Sequence, residues 1–282
     1  MIIDKVLLAT DLSPMSQLVT DCVAEMAAVG VKEAVLVHVI DIRAEGSPAV
    51  ASKDQQNERM LELNRIQLEA RGIKVKTIQP VGFPAHEIVS IANQEQVSMI
   101  AIASHGEGYI KQIFLGSTAT DVIRISDVPV LLLKGREAAP ASRPISWNIF
   151  RRVLVPLDFS VHSDYLLQII KDDSALFRDV VLFSVIERAR NQMELLALLY
   201  EKERQLDLIK KELEELGTRV TVQYGQGAAS LNIMETADQE NVSLILMATR
   251  GQGLIKELML GSTAHAVARR SKQPLLLIPS RG

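Results

Sequence analysis

The sequence holds one cysteine, Cys22, and that scarcity excludes an internal disulfide and a thiolate zinc cluster. Cys22 falls in the first helical stretch and reads as a small buried hydrophobe. The five histidines, at 38, 86, 105, 162 and 265, include no pair at a metal-ligand spacing such as HExxH, which argues against a zinc site. Basic residues are not in excess either. The formal net charge is −3 and the pI about 6.0, so no global positive field is available for nucleic acid or an anionic membrane, and any anion site has to be local. No apolar run approaches the ~18 residues of a membrane span, and Asp4 and Lys5 interrupt what would be a signal core in "MIIDKVLLATD". The expectation is a soluble cytoplasmic protein without nucleic-acid or membrane partners.

What is present is enough apolar material for a core: 48% of 282 residues, against 23% charged, the balance of a globular chain and a length that suits two domains. Self-similarity divides it in the same way. "KVLLATDLS" (5–13) matches "RVLVPLDFS" (152–160), "AVLVHVID" (34–41) matches "VVLFSVIE" (180–187), "EQVSMIAIAS" (95–104) matches "ENVSLILMAT" (240–249), and "VPVLLLK" (128–134) matches "QPLLLIP" (273–279). The order is conserved at an offset of about 145 residues, far beyond the ~20–50 residues of a solenoid repeat. A whole domain is duplicated: one over 1–136, a linker over 137–149, and a second over 150–282. The linker stretch is rich in Ala, Pro, Ser and Arg, but Trp147, Ile149 and Phe150 are too apolar for a free tether and are expected to pack back on a domain.

In the first half, runs rich in Val, Ile and Leu near 5–10, 34–40, 73–79, 98–103 and 129–133 lack polar alternation, which suits parallel strands covered on both faces. Helical stretches lie between them. Ser13 followed by Pro14 marks a helix start, and Gly72 and Gly217 mark two helix ends. Before Gly217, Leu195, Leu199, Leu206, Ile209, Leu213 and Leu216 form one apolar stripe; the charges of "EKERQLDLIKKELEEL" read as a solvated face, being too short a run for a coiled coil. The fold class implied is α/β, two tandem open doubly wound sheets of five mainly parallel strands.

The most informative segment is repeated: "ASHGEGYIKQIFLGSTA" at Ala103–Ala119 and "ATRGQGLIKELMLGSTA" at Ala248–Ala264. Each follows a strand and ends in Gly-Ser-Thr where a helix opens. Glycine lets backbone approach a phosphate, and the helix-start N–H groups and the hydroxyls attract an anion. A tight connection needing glycine for geometry alone is the competing reading; the same spacing ending twice at a helix start favours the anion site. Ser after Gly116 and after Gly261 excludes a GxxxxGK[ST] loop, and Lys111 excludes a GxGxxG fingerprint beginning at Gly106.

The loop resembles the GxxGx9G(S/T) signature of the universal stress protein family, and the resemblance extends to "ATDLS" and "PLDFS", to the second strand and to the closing "PVLLL" strand, covering nearly all of both halves. It implies an adenine nucleotide α-hydrolase-like sheet, binding of ATP (or ADP or AMP) with magnesium, and an intramolecular pseudo-dimer or a homodimer. Carried over by position, Asp11 and Asp158 match the aspartate near nucleotide and metal, and Val39 and Val185 match the residue whose backbone meets adenine. Gly106, Gly116, Ser117, Thr118, Gly251, Gly261, Ser262 and Thr263 match the phosphate stretch, with Ala9, Thr10, Pro156, Leu157 and Met247 beside them. The signature's first glycine is Ala103 in one half and Ala248 in the other, where a methyl would weaken binding if it met the ligand. Asp11 and Asp158 could instead cap the following helices, and His105 and Arg250 could face either phosphate or water. The resemblance points to a nucleotide-dependent stress-response module; a slow ATPase or autokinase and a protein-interaction scaffold are the alternatives. No catalytic residue is assigned.

Overall fold

In a sheet covered on both faces every strand residue meets protein, so an uninterrupted apolar run is what a central parallel strand requires. A computed structural model of the chain describes residues 3–44, 48–105, 115–135, 148–251 and 260–279, divided into the units Met1–Asn148 and Ile149–Gly282. Residues 136–147, which hold most of the expected linker including Trp147, lie outside the described residues.

In the first unit β1 (Lys5–Ala9) leads to α1 (Pro14–Met26), β2 (Glu33–Val37), the short β3 (Ile40–Asp41), α2 (Pro48–Glu69), β4 (Lys74–Ile78), the short β5 (Val81–Gly82), α3 (Pro84–Gln94), β6 (Met99–Ala103), α4 (Ser117–Ile125) and β7 (Val130–Leu133). The main sheet runs β7-β6-β1-β2-β4, all parallel. Its inner strands carry buried residues, with Val6, Leu7, Leu8, Val35, Met99 and Ile100 all at zero exposure, each contributing about 1.5–3 kcal/mol by leaving water. At the sheet margin β4 is largely exposed. Cys22 is fully buried in α1, as its composition suggested.

The second unit repeats the plan with β8 (Val153–Pro156), α5 (Val161–Asp172), β9 (Asp179–Ile186), α6 (Gln192–Glu215), β10 (Arg219–Gln226), α7 (Ala229–Gln239), β11 (Leu244–Ala248), α8 (Ser262–Arg270) and β12 (Leu275–Ile278). Its order is β12-β11-β8-β9-β10, again parallel. Ile149 and Phe150 are buried here, Phe150 meeting Phe177 edge-on at 5.7 Å and 87°.

Two expectations need correction. The run at 34–40 is not one strand: β2 stops at Val37 and pairing resumes in the separate β3–β5 ladder. Pro80, between β4 and β5, has no N–H to give the ladder. Gly225 stands at its place in the second half, and there β9 and β10 pair without a break over eight residues. The stripe on α6 is also narrower than its spacing suggests. Leu206 and Leu213 are fully buried, but Leu216 is 47% exposed and Leu195 and Leu199 are half-buried, because α6 packs mainly on β9 and β10.

Helix ends follow the local code. Ser13 Oγ accepts the Ser16 N–H at 3.2 Å with Pro14 in the first helical position. Gly72 and Gly217 close α2 and α6 at φ +79° and +85°, a conformation open to glycine and costly to most other residues.

Candidate functional site

Strand order reverses between β1 and β6 in the first half and between β8 and β11 in the second, so the neighbouring crossovers leave in opposite directions and open a crevice at the strand carboxyl ends. A cleft occupies that place in each half, with a volume of about 330 Å³ in the first and about 740 Å³ in the second. In the first, Ala9, Thr10 and Asp11 come from the end of β1, Val39 from beyond β2, Ala103 and His105 from the end of β6, and Gly116, Ser117 and Thr118 from the start of α4. The counterparts Pro156, Leu157, Asp158, Val185, Met247 and Ala248 line the second, together with Arg250, Gly251, Gly261, Ser262 and Thr263. Gly106 lies outside the described residues.

Each helix start is held open by the same device. The Gly116 N–H donates to Ser104 O at 2.7 Å and the Gly261 N–H to Thr249 O at 2.8 Å, tying loop to strand end. No side chain caps α4 or α8, so their first-turn N–H groups and positive dipole ends face the cleft. Ala103 and Ala248 are ordinary ladder residues, paired with Leu133 and Ile278. Neither has positive φ, and alanine carries no backbone handicap there.

The aspartates sit on strained turns that no sequence pattern announced: the following residues, Leu12 and Phe159, have φ of +64° and +59°, a conformation that concentrates at functional sites. In the first half Asp11 Oδ1 accepts the Ser13 N–H at 3.1 Å while Ser13 itself caps α1. In the second half Asp158 Oδ1 accepts from the Ser160 N–H at 3.1 Å, Ser160 Oγ at 2.6 Å and Ser163 Oγ at 2.7 Å. Asp158 Oδ2 lies so close to Gly251 that a Cβ there would be 2.5 Å from it. Among the described residues no group of three His, Cys, Asp or Glu side chains could hold a metal by itself. Magnesium is ordinarily held by one or two carboxylates plus substrate phosphates, and Asp11 fits a metal that arrives with a nucleotide. Asp158 fits less well.

The charged neighbours differ between halves. His105 is held below the usual imidazole range by burial, then by the Lys134 ammonium, against a smaller pull from Asp11; Nδ1 is 3.0 Å from Ser104 Oγ. In the second half Lys202 of α6 reaches into the cleft, its Nζ donating to Ser184 Oγ at 3.0 Å and lying 4.8 Å from the Phe159 ring centre. Burial lowers its pKa and Asp158 opposes that shift. Lys202 was missed in the sequence because it lies in a charged helix with no motif around it. Ile88 of α3 and Ile233 of α7, which add apolar wall to the two clefts, carry no signal beyond helical periodicity.

The sequence profile of the universal stress protein family matches residues 3–134 and again 149–279. A universal stress protein of Methanocaldococcus jannaschii is 32% identical over 156 residues, covering 48% of this chain and 96% of that protein. One from Synechocystis is 24% identical over 275 residues, covering 96% and 88%. The crystal structure of a universal stress protein from Archaeoglobus fulgidus superposes with a TM-score of 0.78 at 29% identity, covering 99% of this chain and 98% of that one.

Proposed function

The chain belongs to the universal stress protein family, and from that premise we propose that it is a nucleotide-dependent stress-response module of the cytoplasm, binding ATP or a related adenine nucleotide in each half. The two binding modules are 1–136 and 150–282, joined by 137–149. One observation carries this reading: in both halves an uncapped helix start, a strand-end aspartate and an apolar wall converge on one crevice. The helix start and its hydroxyls take the phosphates. Val39 and Val185 offer backbone to the base, and the walls that include Ile88 and Ile233 take its faces. Asp11 would hold a magnesium ion that arrives with the nucleotide, and the metal would supply neutralisation of phosphate charge. Binding then regulates by favouring whichever conformation of the module holds nucleotide more tightly. Calorimetric titration of nucleotide-stripped protein with ATP and magnesium tests this. Saturable binding is expected, and no saturation up to millimolar ATP refutes it.

A further inference from the structure

The two clefts differ in the sign of the charge that lines them. Among the described residues, the first is lined by the carboxylates Asp11 and Asp41 and by His105, which its surroundings hold toward the neutral form. The second is lined by Asp158 and Glu187 but also by Arg188, Lys202 and Arg250. Among these lining residues a bare polyphosphate approaching the first cleft meets two carboxylates, the buried Lys134 ammonium lying outside the lining; approaching the second it meets more cations than carboxylates.

Lys202 is the cation whose place is most firmly built. Its ammonium is fixed by Ser184 Oγ on one side and the Phe159 ring on another, and Ser184 Oγ in turn donates to Leu157 O at 2.9 Å. A lysine held in this way has lost much of its side-chain freedom before any ligand arrives. Counting back fifteen residues from the helix-ending Gly217 gives Lys202, and fifteen from Gly72 gives the uncharged Asn57. In the alignment of "AVLVHVID" with "VVLFSVIE", Ser184 corresponds to His38, whose Nδ1 lies 3.0 Å from Thr10 O. The first half has its own additional lysine, Lys134 at the end of β7, but it is 4% exposed and does not line the cleft. Meanwhile Asp158, the matching metal contact, has one oxygen engaged by three donors and the other facing Gly251, and its charge already acts on the Lys202 ammonium.

We infer that the second half holds nucleotide phosphates with protein cations, Lys202 foremost, and needs no divalent metal, whereas the first half takes its nucleotide only as the metal complex. This rests on the nucleotide reading above. It makes the two halves respond to different species, the second to free and the first to magnesium-bound nucleotide.

The test is calorimetric titration of the stripped full chain with ATP, in excess magnesium and separately in EDTA, for the wild type, Lys202→Met and Lys202→Arg. Binding that persists in EDTA is expected in the wild type, weakened at least about tenfold in Lys202→Met, as loss of a charge-assisted hydrogen bond implies. Lys202→Arg retains it, which separates loss of charge from loss of fold. A magnesium-dependent site unaffected by Lys202→Met identifies the first half. If all binding vanishes in EDTA, or if EDTA-resistant binding survives in Lys202→Met, the inference is overturned and the nucleotide reading stands. If the wild type binds ATP under neither condition, both fall.

Discussion

Lys134 is the most consequential buried charge in the first half. It follows directly on β7, is 4% exposed, and burial lowers its pKa from 10.5 to about 8. The unfolded chain therefore binds more protons than the folded one between pH 8 and 10.5, and stability of this half rises with pH across that window. Below pH 8 the lysine is charged in both states and the burial cost is fully expressed. Worked from that shift, the cost is about 3 kcal/mol at pH 7, about 2 kcal/mol at pH 9, and under about 0.5 kcal/mol at pH 10.5. Lys134→Met removes the titration. Its stability relative to the wild type should therefore fall by about 1 kcal/mol between pH 7 and pH 9. The slope carries the test, since methionine also changes packing and removes the lysine's own polar contact. Urea unfolding, with hydrogen exchange of peptides from β6 and β7 to isolate the first half, measures it. A difference between variant and wild type that does not change from pH 7 to 9.5 would refute a buried, charged lysine.

Two further predictions concern the second half. Gly251→Ala places a Cβ 2.5 Å from Asp158 Oδ2, and because Asp158 is anchored by three donors the loop must yield; ATP affinity in this half should drop about tenfold, with the first half unaffected, and an unchanged isotherm would show that the loop does not meet the ligand. Phe177→Ala removes a fully buried ring that meets Phe150 edge-on and should cost about 3–5 kcal/mol in urea unfolding; a loss below about 1 kcal/mol would mean that Ile149 and Phe150 do not belong to this core.

By itself the sequence determined the duplication, the α/β class, the approximate strand positions and the two helix-start loops, because these rest on local signals: continuous apolar runs, Ser-Pro and Gly at helix ends, and Gly-Ser-Thr after a fixed spacing. Asp11 and Asp158 were visible as strand-end residues for the same reason. The break after Val37 was less visible, since it depends on Pro80, between two partner strands and more than forty residues away. Only the tertiary structure decided what surrounds the clefts. Ile88, Ile233 and Lys202 reach them from helices whose sequence reports periodicity and not destination. The positive φ of Leu12 and Phe159 is imposed by the turns that aim the aspartates, against the residues' own preference. The burial of Lys134 comes from the elements packed over the end of β7, and a lysine following a strand looks the same in sequence whether it meets water or protein. Local chemistry fixes which elements form, whereas the charge inside a cleft is a sum over distant residues that only packing brings together.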